Sequence, residues 1–335
     1  MKSKNKLKVV LAGGTGVIGK TLIAFFRARG ADVKVLTRGT SAFAQGVEYI
    51  HWDARHAGPW FEAINGSDLL INLVGKSVNC RYTEKAKAEI IDSRVNATLA
   101  LGAAAIAAHH PPKCWINLAS ATIYADAREK VNGEDGDIGS GFSVEVCKIW
   151  ESTFNEIPLP TTRKVVFRTA FFLSHDGGVF SELARFACLG MGGKWGPGDQ
   201  RVSWIHEDDF CNMVLTAFED EWVGTFNASS PHPLPLIDFF AAIRKHIGRR
   251  IRINILTALV HLGARLKGTE AELILKSRNV VPTAALKLGF EFKFTDIRHA
   301  VANLLPMHKR TPLNRLKFYF HTKRSSFLPF VSKLN

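Results

Sequence analysis

The sequence predicts an α/β protein with a doubly wound parallel sheet and a smaller, mainly helical C-terminal lobe. Three observations support this prediction. Short apolar runs alternate with helical segments through the first half of the chain, and a glycine-rich run separates the first strand from the first helix. After residue 175 the pattern becomes irregular and richer in Gly and Pro. Alternation at this spacing indicates βαβ units with right-handed crossovers, and therefore parallel strands.

The predicted elements follow the apolar periodicity along the chain. We expect strands at residues 8–12, 33–36, 47–52, 69–73, 114–118 and 165–167, and helices at 18–29, 84–109, 143–156, 235–247 and 269–277. Residues 1–175 are predicted to form the sheet domain, with further contributions to the sheet from about 200–230. Residues 176–305 are predicted to form the substrate-side, C-terminal lobe, and residues 306–335 an appended basic tail.

The composition is typical of a folded globular protein, with 46% hydrophobic and 22% charged residues. No apolar run reaches the length of a membrane span, and the N-terminal residues lack the apolar core of a signal peptide. The five cysteines are scattered without a Cys-x-x-Cys pair. They indicate reduced thiols in a cytoplasmic protein and predict neither a disulfide framework nor a metal site.

The formal net charge of +14 comes mainly from the two ends of the chain. Residues 1–8 contain four lysines, and residues 306–335 contain seven Lys or Arg, with no acid in either segment. The body between the ends is therefore close to neutral. Because neither end carries a nucleic-acid recognition motif, we expect no nucleic-acid partner.

The glycine-rich run has a G-x-x-G-x-x-G spacing. Gly13 suits a tight turn, Gly16 lets the backbone approach a pyrophosphate, and Gly19 lets the helix pack on the strand. The N-terminus of the helix also offers free N–H groups to an anion. Because a strand and a helix flank the motif, we interpret residues 1–175 as a Rossmann domain that binds a dinucleotide. The expected cofactor contacts in this run are Gly13, Thr15, Gly16, Val17, Ile18 and Gly19.

The end of the second strand distinguishes NADP(H) from NAD(H). NAD sites place Asp or Glu there to accept hydrogen bonds from the ribose 2′-hydroxyl. This chain instead has Thr37 and Arg38, and its Asp32 lies at the opposite end of the strand. A guanidinium binds a 2′-phosphate strongly and bidentately, so we predict NADP(H) as the cofactor. The alternative is that Arg38 is an ordinary solvated loop cation.

Two later strand ends reach the same predicted crevice, because ligands of such sheets lie at the carboxyl ends of the strands. Asp53 follows the third strand, where it either accepts from the adenine amino group or forms a turn. Leu73, Val74 and Gly75 close the fourth strand, where we expect contacts with the ribose and the pyrophosphate.

Several long motifs occur in order along the chain, namely residues 13–19, 72–75, 81–95, 146–151, 190–193, 204–209, 275–282 and 289–292. With these motifs the sequence resembles the extended short-chain dehydrogenase/reductase superfamily, and within it the YfcH-like epimerase family. The resemblance runs over about residues 7–305. It implies an epimerase/dehydrogenase-like fold and NADP(H) binding, and it names no substrate. The last two of these segments are similar to the small domain of unknown function that closes this family.

The catalytic pair typical of that superfamily is absent. Its members use a Tyr as general acid/base and a Lys four residues later that lowers the Tyr pKa. Aligning Glu151 with the Glu that follows the Lys in sugar-modifying relatives puts Ser143 at the Tyr position and Cys147 at the Lys position. No Tyr lies between residues 125 and 318, so a small shift in alignment does not restore the pair. We expect Cys147 to be a buried, inert thiol.

Ser120 and Tyr124 are the remaining catalytic candidates, because residues 120–124 resemble the Ser-containing segment that follows the fifth strand. Ser120 would orient the substrate oxygen. Tyr124 would donate a proton, although a phenol without a neighbouring cation keeps a pKa of about 10. For His206, an acid/base role competes with a structural one in which Asp208 or Asp209 caps the following helix.

Glu89 and Arg94 lie five residues apart on one predicted helix. One hypothesis is that both approach the cofactor pocket, where Arg94 supplies a fixed positive charge. The alternative is a solvent-facing helix with mixed charges.

The C-terminal tail interleaves aromatic and basic residues from 313 to 334. Such a segment lies on anionic membrane surfaces in some proteins, and in others it is a solubilising tail or folds back on the body. Weak membrane-surface contact through this tail is therefore one hypothesis.

The leading functional hypothesis is an NADP(H)-dependent oxidoreductase or epimerase-like enzyme with a small-molecule substrate. The substrate would enter between the sheet domain and the C-terminal lobe, and the nicotinamide would carry the hydride. The rival hypothesis is an NADPH-binding sensor or regulatory protein without turnover. The missing Tyr–Lys pair favours the rival, because a fold does not guarantee a reaction.

Overall fold

The structure, a computed structural model, describes residues 6–305. The strands of that part of the chain are β1 (Lys8–Ala12), β2 (Asp32–Thr37), β3 (Ala42–Ala44), β4 (Val47–His51), β5 (Leu69–Asn72), β6 (Cys114–Ser120), β7 (Arg163–Thr169), β8 (Phe171–Leu173), β9 (Arg201–Val202), β10 (Trp204–His206), β11 (Gly224–Ala228) and β12 (Leu234–Pro235). The helices are α1 (Val17–Ala28), α2 (Glu84–Ala107), α3 (Phe142–Glu156), α4 (Gly178–Cys188), α5 (Glu207–Glu219), α6 (Leu236–Ile247), α7 (Thr257–Lys267), α8 (Glu272–Leu275), α9 (Thr283–Lys287) and α10 (Ile297–Leu304).

A central sheet has the strand order β11-β7-β6-β5-β1-β2-β4-β3. Neighbouring strands are parallel except for β3, which pairs antiparallel with β4. Because β1 pairs with β2 on one side and with β5 on the other, the winding of the sheet reverses at β1. A crevice opens at the carboxyl ends of the strands at such a switch point. The predicted doubly wound parallel-sheet, Rossmann-type fold class is confirmed.

Two helical layers cover this sheet, one on each face. In β1, Val9 and Leu11 pack in the core with α1 and α5, whereas Val10 and Ala12 pack in the core with α2 and α3. Successive side chains of a strand point to opposite faces, and both faces are buried here. This explains why the inner strands are nearly continuous apolar runs rather than alternating ones.

The helix α2 is long and apolar enough to cross a membrane by length and composition, and it is the one helix within residues 6–305 that is. It packs against α3 and the sheet, and 44% of its most apolar window is buried inside the protein. Core helices of soluble proteins pass the same test. Its length and composition therefore do not by themselves assign a membrane span.

The C-terminal region has its own core and is mainly helical, as predicted. That core combines apolar side chains of α4, α6, α7 and α10 with those of the short paired strands β8, β9 and β10. Its largest fully buried side chains include Trp204, Phe180, Phe239 and Phe240.

The predicted helix at 269–277 is wrong in extent. Only Glu272–Leu275 is helical there, and the longer helix of this region is α7, which the sequence analysis did not predict. From Lys276 the chain is extended. The Ser277 N–H donates to Asp126, and the Asn279 amide donates to the carbonyls of residues 128–130. These tertiary hydrogen bonds override the local helical preference.

The start of α5 connects the sheet domain to the C-terminal region, and it corrects the predicted cap. His206 is the N-cap, since its Nδ1 accepts from the Asp208 N–H at 3.0 Å. Asp209 is buried and accepts from the backbone N–H groups of Lys293 and Phe294 at 2.8 and 2.9 Å. Asp209 therefore holds the C-terminal segment, and neither Asp caps the helix.

We predict that Asp209→Asn lowers the free energy of unfolding by about 1–3 kcal/mol, because an amide presents an N–H to one of the two backbone donors. Equilibrium unfolding in urea measures this. The matched control is Asp208→Asn, whose carboxylate makes an exposed ion pair with Lys293. Its expected change is below about 1 kcal/mol, so equal losses in the two variants would contradict the assignment.

Candidate functional site

The loop between β1 and α1 is shaped by its glycines. Gly13 has a φ of +79°, and a Cβ at Gly19 would lie 2.4 Å from the Cα of Gly14. Gly19 is therefore the residue that lets α1 pack directly on the loop. A Cβ at Gly16 would meet nothing within 4 Å, and the first turn of α1 has neither a side-chain cap nor an acid. Its free N–H groups are available to an anion.

A cleft of about 770 Å³ opens at the carboxyl ends of β1, β2, β4 and β5. This volume lies within the range of about 300–1,000 Å³ typical of ligand pockets. Its walls bring together many of the predicted cofactor contacts, namely Gly13, Thr15, Gly16, Thr37, Arg38, Asp53, Leu73, Val74, Gly75 and Glu89. They also include residues that the sequence analysis did not name, namely Leu36, Trp52, Ala54, Arg55, Lys76, Ser77, Asp92, Ser93 and Asn96.

The other predicted site residues do not line this cleft. Val17, Ile18 and Gly19 form the first turn of α1 behind the loop. Arg94 and Tyr124 lie deeper in the molecule, and Ser120 lies at the end of β6, farther along the sheet edge.

Two arginines stand at the end of the cleft formed by β2 and β4. Arg38 directly follows β2, and Arg55 follows β4; both are exposed. The Gly39 N–H donates to Thr37 Oγ1 at 3.1 Å, which orders the turn that carries Arg38. Asp32 begins β2 and therefore lies at the opposite end of that strand. The cleft thus presents a guanidinium at the end of β2, where an NAD site presents a carboxylate, and a second guanidinium after β4.

Asp53 lines the cleft and forms a turn at the same time. Its Oδ1 accepts from the N–H groups of Arg55 and His56, both at 2.9 Å, and its Oδ2 pairs with the His56 ring. These bonds, the backbone one from His56 first, hold the pKa of Asp53 well below its usual range. The two interpretations of Asp53 are therefore compatible, and the turn fixes the backbone of Arg55.

A buried amide fixes the end of β5 at the cleft. Asn72 is fully buried, and its Nδ2 donates to Asn117 Oδ1 at 2.7 Å and to Thr98 Oγ1 at 3.2 Å. Its Oδ1 accepts from the Val74 N–H at 3.1 Å. Because Asn72 is satisfied on all sides, the segment from Leu73 to Gly75 leaves the strand in one defined direction.

Glu89 and Arg94 have different surroundings. Glu89 lines the cleft and forms an ion pair with Lys76. Arg94 lies behind that wall, where its Nη1 donates to the carbonyls of Lys76 and Ile90 at 3.1 and 2.9 Å and its guanidinium lies over the Trp150 ring. Burial lowers the pKa of Arg94. Arg94 therefore holds the backbone beside Gly75 and is neither a wall residue nor a solvent-facing one.

The position of the missing pair holds other polar groups. Ser143 Oγ donates to Glu272 Oε1 at 2.8 Å and lies 3.1 Å from the Tyr82 hydroxyl. Burial raises the pKa of Cys147 to about 12, so its thiol stays protonated at neutral pH. Tyr82 and Glu272 were missed from the sequence because they are far from residue 143 along the chain. The signal that was available is Tyr82 itself, which lies in one of the segments that carry the family resemblance.

Ser120 and Tyr124 lie at the end of β6 but differ in access. Ser120 is half-buried, and its Oγ lies 2.9 Å from Thr122 Oγ1. Tyr124 is 1% exposed; its hydroxyl donates to Asn227 Oδ1 at 2.7 Å and accepts from Arg168 Nη1 at 2.8 Å. Burial raises the pKa of Tyr124. The Tyr124 hydroxyl is thus buried, and both of its hydrogen bonds are made to protein side chains.

His206 is enclosed as well. Its ring stacks on Phe294 at 3.7 Å between centroids, and its Nε2 lies 3.1 Å from Asn303 Oδ1. Burial lowers the pKa of His206, which keeps the ring neutral and able to cap α5. These contacts favour the structural interpretation. Among residues 6–305 there is no group of three or more His, Cys, Asp or Glu side chains that could hold a metal ion.

The parallel sheet, its switch point and the glycine loop define a Rossmann-type α/β protein. Residues 9–141 match the NAD dependent epimerase/dehydratase family, and residues 262–304 match a domain of unknown function, DUF1731. Together with the relatives described next, these matches support an atypical extended short-chain dehydrogenase/reductase.

Two of the three relatives described here match over nearly their whole length, and the third matches over 61% of its length. The epimerase family protein YfhF of Bacillus subtilis (strain 168) is 29% identical over 308 residues, which are 90% of this chain and 99% of YfhF. The crystal structure of human epimerase family protein SDR39U1 (isoform 2) with NADPH has a TM-score of 0.76 at 28% identity, covering 88% of this chain and 98% of SDR39U1. A nucleoside-diphosphate sugar epimerase from Corynebacterium glutamicum has a TM-score of 0.71 at 25% identity, covering 94% of this chain and 61% of the epimerase.

We predict that Tyr124→Phe lowers the free energy of unfolding by about 1–3 kcal/mol, because Asn227 and Arg168 each lose a buried partner. NADPH affinity should stay unchanged, since Tyr124 does not line the cleft. Urea unfolding and a fluorescence titration measure the two quantities. The control is Tyr49→Phe, a half-buried tyrosine of β4. A variant with unaltered stability would show that the network around Tyr124 does not support the fold.

Proposed function

We propose that the protein binds NADP(H) in the cleft and acts as an oxidoreductase or epimerase-like enzyme on a small molecule. The observation that carries the proposal is the uncapped start of α1, which adjoins the cleft of about 770 Å³ beside Gly16. The human relative crystallised with NADPH supports the same nucleotide. We also propose that the protein belongs to the YfcH-like group and that it is cytoplasmic.

Residues of the cleft fit the pyrophosphate, the 2′-phosphate, the adenine and the ribose of this nucleotide. The N–H groups at the start of α1 would hold the pyrophosphate, and the missing Cβ of Gly16 leaves room for it. Arg38 and Arg55 would hold the 2′-phosphate by charge-assisted hydrogen bonds. Asp53 would meet the adenine, and the segment from Leu73 to Gly75 the ribose.

A bound nicotinamide supplies hydride transfer. In this proposal the half-buried Ser120 hydroxyl orients the substrate oxygen. The Tyr82 hydroxyl, 3.1 Å from Ser143 Oγ, would give its proton to the substrate oxygen and regain one from solvent. Ser143, at the position of the usual Tyr and bonded to Glu272 Oε1, would hold the Tyr82 hydroxyl in place. Tyr124 is not the donor in this scheme, because its hydroxyl is enclosed and already bonded to Asn227 and Arg168.

A second candidate function is NADPH sensing without turnover. The observation that favours it is Cys147, whose thiol has a pKa of about 12 where the superfamily places a lysine that activates its tyrosine. A panel of carbonyl compounds and nucleoside-diphosphate sugars separates the two functions, with two readouts: NADPH absorbance and chromatography of the sugar products, because an epimerase regenerates its cofactor. Consumption of NADPH or conversion of a sugar supports the enzyme, whereas binding of NADPH with neither change throughout the panel supports the sensor.

We predict that Arg38→Ala weakens NADPH binding by about 10- to 100-fold, because a hydrogen bond to a charged group contributes about 1.5–3 kcal/mol. NADH binding should change little, since NADH has no 2′-phosphate. Isothermal titration calorimetry with both nucleotides measures the two affinities. Arg55→Ala should act in the same direction.

The control is Arg128→Ala, which removes an exposed arginine paired with Asp199. It should leave both affinities unchanged. If Arg38→Ala weakened NADH as much as NADPH, the assignment of Arg38 to the 2′-phosphate would be contradicted.

A further inference from the structure

An exposed, basic and aliphatic surface is formed by residues 249–267, here called the basic aliphatic face. This stretch contains five Arg or Lys residues and no acid. Leu256 and Leu266 are 70% and 80% exposed. More than half of the surface is also exposed for four other large aliphatic side chains, Ile251, Ile253, Leu259 and Leu262. Contiguous exposed apolar surface rimmed by charge marks an interaction site more often than chance exposure.

The face is held in a fixed shape by the fold. The Ile253 N–H donates to the Gly190 carbonyl and the Ile255 N–H to the Lys194 carbonyl, both at 2.7 Å. In α7, the side chains of Val260 and Ala264 are buried in the lobe core. One side of α7 thus packs on the lobe, and the leucines on its other side are exposed.

Within residues 6–305, Lys267 is the one cation of the face that forms an ion pair. Burial, together with the nearby Arg252, lowers the pKa of Arg244, and the Arg244 Nε is buried without a hydrogen-bond partner among the described residues. The acid that meets this stretch is Glu182, which pairs with Lys267 at its far end. A second copy of the same face would bring like charges together. The chemistry therefore fits an anionic partner that also accepts aliphatic side chains.

The end of the described chain lies beside this face. The Leu305 carbonyl bonds to the His246 ring at the end of α6, three residues before Arg249. The residues that follow, 306–335, lie outside the described part of the chain. Their sequence contains seven Lys or Arg and no acid, interleaved with aromatic residues. By sequence this segment therefore has the same sign of charge as the face.

We propose that the basic aliphatic face binds an anionic lipid surface. The leucines of α7 would enter the boundary between headgroups and acyl chains, and Arg249, Arg250 and Arg252 would bind lipid phosphates. None of residues 249–267 lines the cleft, so this inference does not depend on the proposed function. Salt weakens the attraction, because the Debye length is about 8 Å at physiological ionic strength.

The test is sedimentation of the full chain with phosphatidylcholine vesicles, with or without an equal part of phosphatidylglycerol. The expected result is binding to the anionic vesicles only, with loss on adding salt. Leu259→Glu combined with Leu262→Glu should lower the partition coefficient by at least about tenfold. The matched control is Ile106→Glu combined with Val223→Glu, which changes two exposed aliphatic residues elsewhere. The control should bind like the wild type.

A second arm separates the face from the C-terminal segment. Lys323→Gln combined with Arg324→Gln changes that segment alone, and circular dichroism melting establishes that every variant is folded. If these changes abolish binding while the leucine variant binds like the wild type, the face is not the site and the proposal is overturned. The proposal is also overturned if the wild type does not bind anionic vesicles. That outcome includes the case in which light scattering shows that the wild type is a dimer and that the leucine variant is a monomer.

Discussion

The cleft exists because the first turn of α1 packs directly on the glycine loop. A Cβ at Gly19 would lie 2.4 Å from the Cα of Gly14, so the helix reaches the strand end only because residue 19 has no side chain. This contact directs the N-terminus of α1 towards the end of β1, which lies between β2 and β5 in the sheet. The helix dipole, the free N–H groups and the strand ends then meet at one cleft.

The C-terminal region is attached to the sheet domain by backbone and side-chain hydrogen bonds. Its extended residues 276–281 run along residues 126–132, and Asp209 ties the chain at residues 293–294 to the start of α5. Ser143 reaches Glu272 through the same junction. The polar groups at the position of the missing Tyr–Lys pair are therefore contributed jointly by the sheet domain and by the C-terminal region. In the proposed mechanism, proton transfer and the stability of the fold would depend on the same junction.

Local sequence patterns predicted what depends on local structure. The parallel sheet follows from apolar runs and the spacing between them, and the loop from Gly13 to Gly19 follows from the strand and helix that flank it. Arg38 could be identified as a residue of the cleft wall because it directly follows β2. Arg55 was missed, since the turn that carries it is built by Asp53 and gives no periodic signal. Tyr82 and Glu272 were missed because contacts between distant segments bring them to Ser143. The extended chain after α8 was missed for the same reason.

The position of the bound 2′-phosphate decides whether the proposed cofactor site is correct. A crystal structure of the full chain with NADPH should place that phosphate within hydrogen-bond distance of the Arg38 guanidinium, with Arg55 beside it. The pyrophosphate should accept hydrogen bonds from the backbone N–H groups at the start of α1. A nucleotide bound outside this cleft, or a 2′-phosphate that contacts neither arginine, would contradict the account.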